Sequence, residues 1–180
     1  MVNDLLLSAK LEEAYQPHFE ELDLSLLVHD LIAELEEKYP TSHFKVEENG
    51  DIPIVQADLS GLNSVLSNLL ENAIKYSQGD ADVTVRLKQE LKHASVEIAD
   101  QGVGIPDKEK KHVFEKFYRV GSEDTRSTKG TGLGLFIVKQ IVKAHGGTIQ
   151  VLDNQPRGTL MRFCLPLKQK ENAEFVLQKA

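Results

Sequence analysis

With 180 residues, 41% hydrophobic and 27% charged, the chain suits one globular domain, or one domain with an appendage. A formal charge of −7 argues against a general nucleic-acid-binding surface, so any anion site must be local. No apolar run is long enough to span a bilayer, no basic stretch followed by an apolar one opens the sequence, and the single cysteine, Cys164, excludes an internal disulfide.

Residues 3–14 carry Leu7, Leu11 and Ala14 at helical spacing and read as the tail of a longer element. Phe19–Leu22 is strand-like, and Asp23 or Ser25 can cap a helix with Leu27, Leu31 and Leu35 in register, ended by Pro40. His43–Val46 and Ile52–Val55 alternate like short strands. Asp58 is the N-cap expected for the next helix, and a Gly79-Asp80 turn follows it. Ala81–Leu87 and Ala94–Ile98 predict a hairpin that runs into Asp100-Gln-Gly-Val-Gly-Ile-Pro106. A short helix is expected over Lys108–Phe114, then a polar loop over 118–131. Gly132–Ala144 reads as a helix with Leu135, Val138 and Val142 as its buried stripe, His145 favoured by the dipole at its end and Gly146 as C-cap. Thr148–Leu152 and Thr159–Leu165 predict a last hairpin, in which Cys164 reads as a small buried hydrophobe, and a polar tail closes the chain. Helices mixed with hairpins give an α/β two-layer sandwich: a mixed, mostly antiparallel sheet with helices on one face.

Three stretches carry chemistry. Turned as a helix, Ser67–Ser77 places Asn68, Glu71, Asn72 and Lys75 on one narrow face and Leu62, Leu66, Leu69, Leu70 and Ala73 on the other. A merely solvated face favours Lys, Glu and Arg, the better helix formers, over asparagine. Amide oxygens are hard neutral ligands for Mg²⁺, and a lysine suits phosphate oxygens; a solvent-facing stripe with incidental asparagines is the other reading. Asp100-x-Gly102-x-Gly104 ends a strand, where glycines allow close backbone approach and a carboxylate can accept from an exocyclic amine; a plain Asp-containing turn is the alternative. Gly130-Thr131-Gly132-Leu133-Gly134-Leu135 opens a helix, where free N–H groups and the dipole make an anion site; a glycine-bent loop needed for packing is the alternative. It is neither the dinucleotide nor the P-loop pattern.

In this order, NLLENAIKYS, DQGVGIP, VFEKFYRV and GTGLGLFIVKQIVKAHGG resemble the asparagine, first glycine, phenylalanine and second glycine boxes of sensor histidine kinases. The resemblance is to their ATP-binding catalytic domain, within the GHKL group that includes gyrase, the Hsp90 chaperones and mismatch-repair proteins. It covers roughly residues 20–167 and implies the Bergerat-type ATP-binding fold. It divides the chain into a remnant of the second dimerisation helix (1–15), the ATP-binding domain (16–167) and a polar tail (168–180). It implies that Asn72 ligates Mg²⁺ with Asn68 in support, that Lys75 and Arg119 meet the phosphates, and that Tyr76 lies beside the nucleotide. Asp100 would read adenine, with Gly102, Gly104 and Ile105 shaping its pocket. Gly130, Gly132 and Gly134 would supply backbone donors and a lid hinge, and Phe114 and Phe117 would pack the lid's base or simply the core. Tyr118, Thr131, Leu133 and Leu135 complete the set around ATP. Arg126 and Lys129 read as solvated lid cations and Glu71 as a surface or supporting residue.

A phosphoacceptor is missing. Among the six histidines only His29 begins suitably, as His29-Asp30-Leu31, but it lacks the basic residue, hydroxyl and proline that follow in the family. The resemblance therefore implies a protein-histidine kinase catalytic domain whose phosphoacceptor helix lies upstream, with no autophosphorylation in cis. Its partners would be that helix and a response regulator, with no nucleic acid. The parent would be a homodimer, cytoplasmic or anchored in the inner membrane, and this fragment a monomer. The rivals are an anti-sigma-type serine-protein kinase, a non-catalytic ATP-gated module, and a structural or nucleic-acid-binding domain.

Overall fold

A computed structural model describes residues 15–50, 52, 54–77, 80–121 and 130–167. The expected helix over 3–14, Gly79, the loop cations Arg126 and Lys129, and the tail over 168–180 lie outside the described residues.

The elements run β1 (Glu20–Asp23), α1 (Leu24–Lys38), β2 (His43–Asn49), β3 (Ile54–Ala57), α2 (Leu59–Tyr76), β4 (Asp82–Gln89), β5 (His93–Asp100), α3 (Asp107–Lys110), α4 (Gly134–Ala144), β6 (Thr148–Asp153) and β7 (Thr159–Pro166). Five strands form one sheet in the order β2-β4-β5-β7-β6, and β1 pairs with β3 in a separate ribbon. Only β2 and β4 run parallel in the large sheet, because the chain between them crosses over through β3 and α2. This is the α/β sandwich expected, with α1, α2 and α4 on one face.

Each cap that places α2 is local. The Asp58 carboxylate accepts the Gly61 N–H at 2.6 Å, satisfying one of the donors that a helix start leaves open. Asp23, rather than Ser25, caps α1, accepting from Leu26 N–H at 3.1 Å; Ser25 Oγ donates to Glu48. The apolar face of α2 delivers Leu62, Val65, Leu66, Leu69 and Leu70, each at most 1% exposed, onto the inward residues Val83, Val85 and Leu87 of β4 and Val96 and Ile98 of β5. Each such side chain contributes roughly 1.5–3 kcal/mol of hydrophobic burial, as an upper figure.

α4 buries Ile137, Val138, Ile141 and Val142. Leu135, expected in that stripe, is only partly buried, since it lies in the first turn beyond the core. The helix ends in a Schellman motif: Gly146, at φ +70°, donates to Lys143 O and Gly147 to Val142 O, both at 2.9 Å. The helix expected over Lys108–Phe114 stops at Lys110, and three-residue turns, with His112 N donating to Glu109 O and Glu115 N to His112 O, carry the chain on. Cys164 is half-buried rather than buried, because Phe163 and Leu165 take the inward positions of β7.

On the sheet's outer face, Glu47, Arg86, Glu97 and Arg162 are successive cross-strand partners from β2 to β7. Glu97 is 4% exposed, and Arg162 reaches it through Nε at 2.9 Å and a second nitrogen at 2.7 Å.

Candidate functional site

The polar face of α2 emerges as the sequence indicates. Asn68, Asn72 and Lys75 are half-buried, while exposed Glu71 accepts from Lys38 of α1 at 2.7 Å. That pairing makes Glu71 a surface residue between two helices. Asn68 Nδ2 donates to Ser64 O at 2.8 Å, which fixes the amide and turns its oxygen toward the start of α4. A Cβ placed on Gly134 would lie 2.6 Å from that oxygen. Asn72 makes no side-chain hydrogen bond among the described residues. Lys75 Nζ sits 5.0 Å above the Tyr76 ring and would lie 2.8 Å from a Cβ on Gly130.

The acidic turn joins the same end of α2. The Tyr76 carbonyl, left open by the end of the helix, accepts Val103 N–H at 3.3 Å, and a Cβ on Gly102 would lie 2.5 Å from that carbonyl oxygen. Asp100 is 7% exposed, and its Oδ1 accepts from Gly102 N at 2.8 Å and Thr159 N at 3.0 Å. Its own carbonyl accepts from Asn154 Nδ2 at 2.8 Å. Burial pushes the carboxyl pKa up, and the hydrogen bonds from Gly102 and Thr159 pull only part of the way back. Oδ2 has no backbone donor among the described residues and is the atom that can accept from a ligand.

The glycine stretch is braced from below. Gly132, at φ +73°, accepts Phe117 N–H at 3.0 Å, and a Cβ there would lie 2.6 Å from the Phe117 carbonyl carbon. Phe117 itself holds φ +64° and is 58% exposed, so it is not a core residue; Phe114 is partly buried against the core. The Leu133 side chain is fully buried, leaving only its backbone to face a ligand, and its N–H approaches Thr131 Oγ1 at 3.4 Å. Leu133, the N-cap of α4, makes no side-chain cap bond, so among the described residues the first-turn N–H groups remain available as anion donors.

The contacts thus gather Asn68, Lys75, Tyr76, Asp100, Gly102, Gly130 and Gly134 around the C-terminal half of α2, while Gly132, between the last two in sequence, is held by Phe117. Gly104, at φ +71°, packs toward Gly158, and Ile105 and Leu135 flank the core. Tyr118 is held elsewhere: its hydroxyl donates to Glu109, whose carboxylate pushes the phenol pKa up. Arg119 is half-buried one residue further on. Sequence reasoning missed the clamp on Asp100 from the β6–β7 hairpin. Its only trace was the Asn154–Gly158 turn itself; a Cβ on Gly158 would lie 2.0 Å from the Asp100 carbonyl oxygen. His145 does end the helix, as its C-cap, but it is 4% exposed and engaged through both ring nitrogens, one of them with Asp58, which sequence reasoning did not foresee.

Residues 57–169 match the family described as histidine kinase-, DNA gyrase B-, and HSP90-like ATPase. Sensor histidine kinase WalK of Bacillus subtilis (strain 168) is 36% identical over 184 residues, an alignment covering 97% of this chain and 29% of that protein. The chain therefore spans less than a third of the length of that relative. Among solved structures, a mycobacterial sensor histidine kinase, MprB, is 38% identical with a TM-score of 0.71, covering 82% of this chain and 97% of that one. The nucleotide-free catalytic domain of histidine kinase ThkA is 30% identical with a TM-score of 0.72, covering 83% and 97%. With its asparagine helix, acidic turn and glycine stretch gathered at one end of α2, the chain belongs to the histidine kinase-, DNA gyrase B- and HSP90-like ATPases, on the sensor histidine kinase side of that family.

Proposed function

We propose that the chain binds Mg·ATP between α2, the Asp100 turn and the start of α4, and presents the γ-phosphate to a histidine carried by a helix outside this chain. The observation that carries the reading is a convergence on the C-terminal half of α2: Gly102 approaches the Tyr76 carbonyl at the helix end, and Gly130 and Gly134 approach the Lys75 and Asn68 side chains. The turn after β5 and the stretch opening α4, far apart in sequence, thus meet at one helix.

In this reading Asp100 Oδ2 accepts from the adenine amine, and the flat backbone at Gly102 and Gly104, with Ile105, lets the base lie close. Tyr76 flanks the nucleotide. Asn72, half-buried and without a hydrogen-bond partner among the described residues, and Asn68, its oxygen oriented by Ser64, would supply neutral amide oxygens suited to a hard cation. Mg²⁺, when bound, supplies charge neutralisation between phosphate oxygens. Lys75, Arg119 and the N–H groups of residues 130–135 neutralise the rest, so the chain acts by positioning and electrostatics. Tyr118, tied to Glu109, shapes the loop base. The imidazole nucleophile and its acidic neighbour come from the phosphoacceptor helix, in a homodimeric parent that passes the phosphoryl group to a response regulator.

Calorimetric titration with ATP, with and without Mg²⁺, tests the binding step. Mixing the chain with a histidine-bearing helical hairpin and labelled ATP tests transfer. An acid-labile product supports the reading. An acid-stable product would favour a serine kinase on the same fold, and binding without any transfer would favour an ATP-gated module.

A further inference from the structure

The far ends of α2 and α4, away from the cleft, are joined by side chains that the nucleotide reading leaves unused. His145 closes α4. Its Nδ1–H donates to Ile141 O at 2.8 Å, and its Nε2 accepts the Asp58 N–H at 2.9 Å, an arrangement that requires the neutral imidazole. The Asp58 carboxylate, 8% exposed, accepts from Gly61 N at 2.6 Å, Ser60 Oγ at 2.7 Å and His18 N at 2.8 Å.

The last of these bonds belongs to the segment leading into the domain. Along that segment the Phe19 ring meets the His145 ring edge-on at 5.3 Å, and the Tyr15 ring lies 6.3 Å from it. The Tyr15 hydroxyl is buried beside the Asp58 carboxylate, with no hydrogen bond of good geometry among the described residues; burial, and then that neighbouring charge, pushes its pKa up. It is seated over Gly61, where a Cβ would lie 2.2 Å from it. Pro17 stiffens the stretch between, its ring fixing φ. Three residues of a short leading segment thus grip two helix ends at once, and only a glycine at position 61 leaves room for the grip. A shallow concavity lined by His18, Glu20, Asp58, Leu59, Ser60 and Asn63 borders it.

We propose that Tyr15–Phe19 is a strap that buckles the preceding chain onto the joined far ends of α2 and α4, so that its seating and the setting of the cleft between these helices change together. α2 carries Asn68, Asn72 and Lys75 at its other end, and α4 begins at the glycine stretch; a pull on the strap acts on both. The second half of the proposal rests on the nucleotide reading; the buckle itself does not.

Amide hydrogen exchange on the full chain tests both halves, because His18 N–H and Asp58 N–H each report one bond. Tyr15→Ala is expected to speed His18 exchange about 10-fold or more while leaving Asp58 and β5 unchanged, and Tyr15→Phe to preserve the slow rate. Gly61→Ala, made from the other side of the contact, is expected to act like Tyr15→Ala. Saturating Mg·ADP is expected to change the His18 rate in the unsubstituted chain and not in Tyr15→Ala. Unchanged His18 exchange in both Tyr15→Ala and Gly61→Ala overturns the buckle. Protection appearing at Gly102 and Gly134 with Mg·ADP, but no response at His18, overturns the coupling. No protection at Gly102 or Gly134 overturns the nucleotide reading and the coupling with it, and the substitutions alone then decide the buckle.

Discussion

The backbone N–H of Asp58 donates to His145 Nε2 across 87 residues of sequence, tying the first turn of α2 to the last turn of α4. The same Asp58 has an unusual carboxyl. Burial alone would raise its pKa, but the hydrogen bonds from Ser60, His18 and Gly61, with the Tyr15 hydroxyl beside it, outweigh burial and hold it at about 2, below its ordinary 3.8. A depressed carboxyl adds stability above its unfolded pKa and loses it as the pH falls through the folded one. Stability should therefore drop between about pH 4 and pH 2, and Asp58→Asn should flatten that limb while costing about 1–3 kcal/mol at neutral pH. Urea unfolding midpoints across the acid range check both.

Asp100 has the opposite sign. Its pKa is raised by burial, so ionisation works against the fold as the pH rises from the ordinary carboxyl value to the folded one. Asp100→Asn should leave the fold as stable at pH 7, or slightly more so, because the amide oxygen can still accept from Gly102 and Thr159. The amide nitrogen would then face a purine amine, donor against donor. ATP affinity should fall about 10- to 100-fold, the loss of one hydrogen bond to a charged group. Calorimetry beside urea unfolding separates the two effects.

Asn72→Ala should remove the Mg²⁺-dependent part of ATP affinity and leave stability within about 0.5 kcal/mol, since the amide makes no bond among the described residues that folding would miss. Titrations with Mg²⁺ and with a chelator, alongside thermal unfolding, are the measurement. Equal Mg²⁺ dependence in the variant and the unsubstituted chain would remove Asn72 from the metal site.

Gly132 and Gly50 make a controlled pair. Both hold positive φ, +73° and +81°, but a Cβ at Gly132 meets the Phe117 backbone while nothing lies within 4 Å of one at Gly50. Gly50→Asn should cost well under 1 kcal/mol, because asparagine tolerates the left-handed region. Gly132→Asn should cost about 1–3 kcal/mol or displace Phe117, adding a steric term to the backbone strain. Thermal unfolding of the two variants, together with near-ultraviolet dichroism of the aromatic residues, checks the contrast.

What the sequence made legible was whatever repeats locally. The Asp58 cap, the apolar and polar faces of α2, and both hairpins follow from periods of 3.6 and 2 and from turn residues. What escaped it depends on partners distant along the chain. His145 reads only as a helix-end residue until Asp58 arrives with a donor. Asp100 looks like an ordinary turn residue until Asn154, Gly158 and Thr159 close around it. Phe117 was weighed as core because it is aromatic, but a residue held at φ +64° on a turn points where the turn sends it. Cys164 was misplaced because an apolar run hides which alternate residues face inward.

The charge row across the sheet has an electrical consequence. On that face, Lys45, Arg86, Lys88 and Arg162 stand beside Glu47, Asp82 and Glu97, a slight positive excess on a chain of net −7. Among the described residues, the surplus of acid therefore lies away from that face. A basic surface is therefore met more favourably by the acidic sides of the described fold than by the outer face of the sheet.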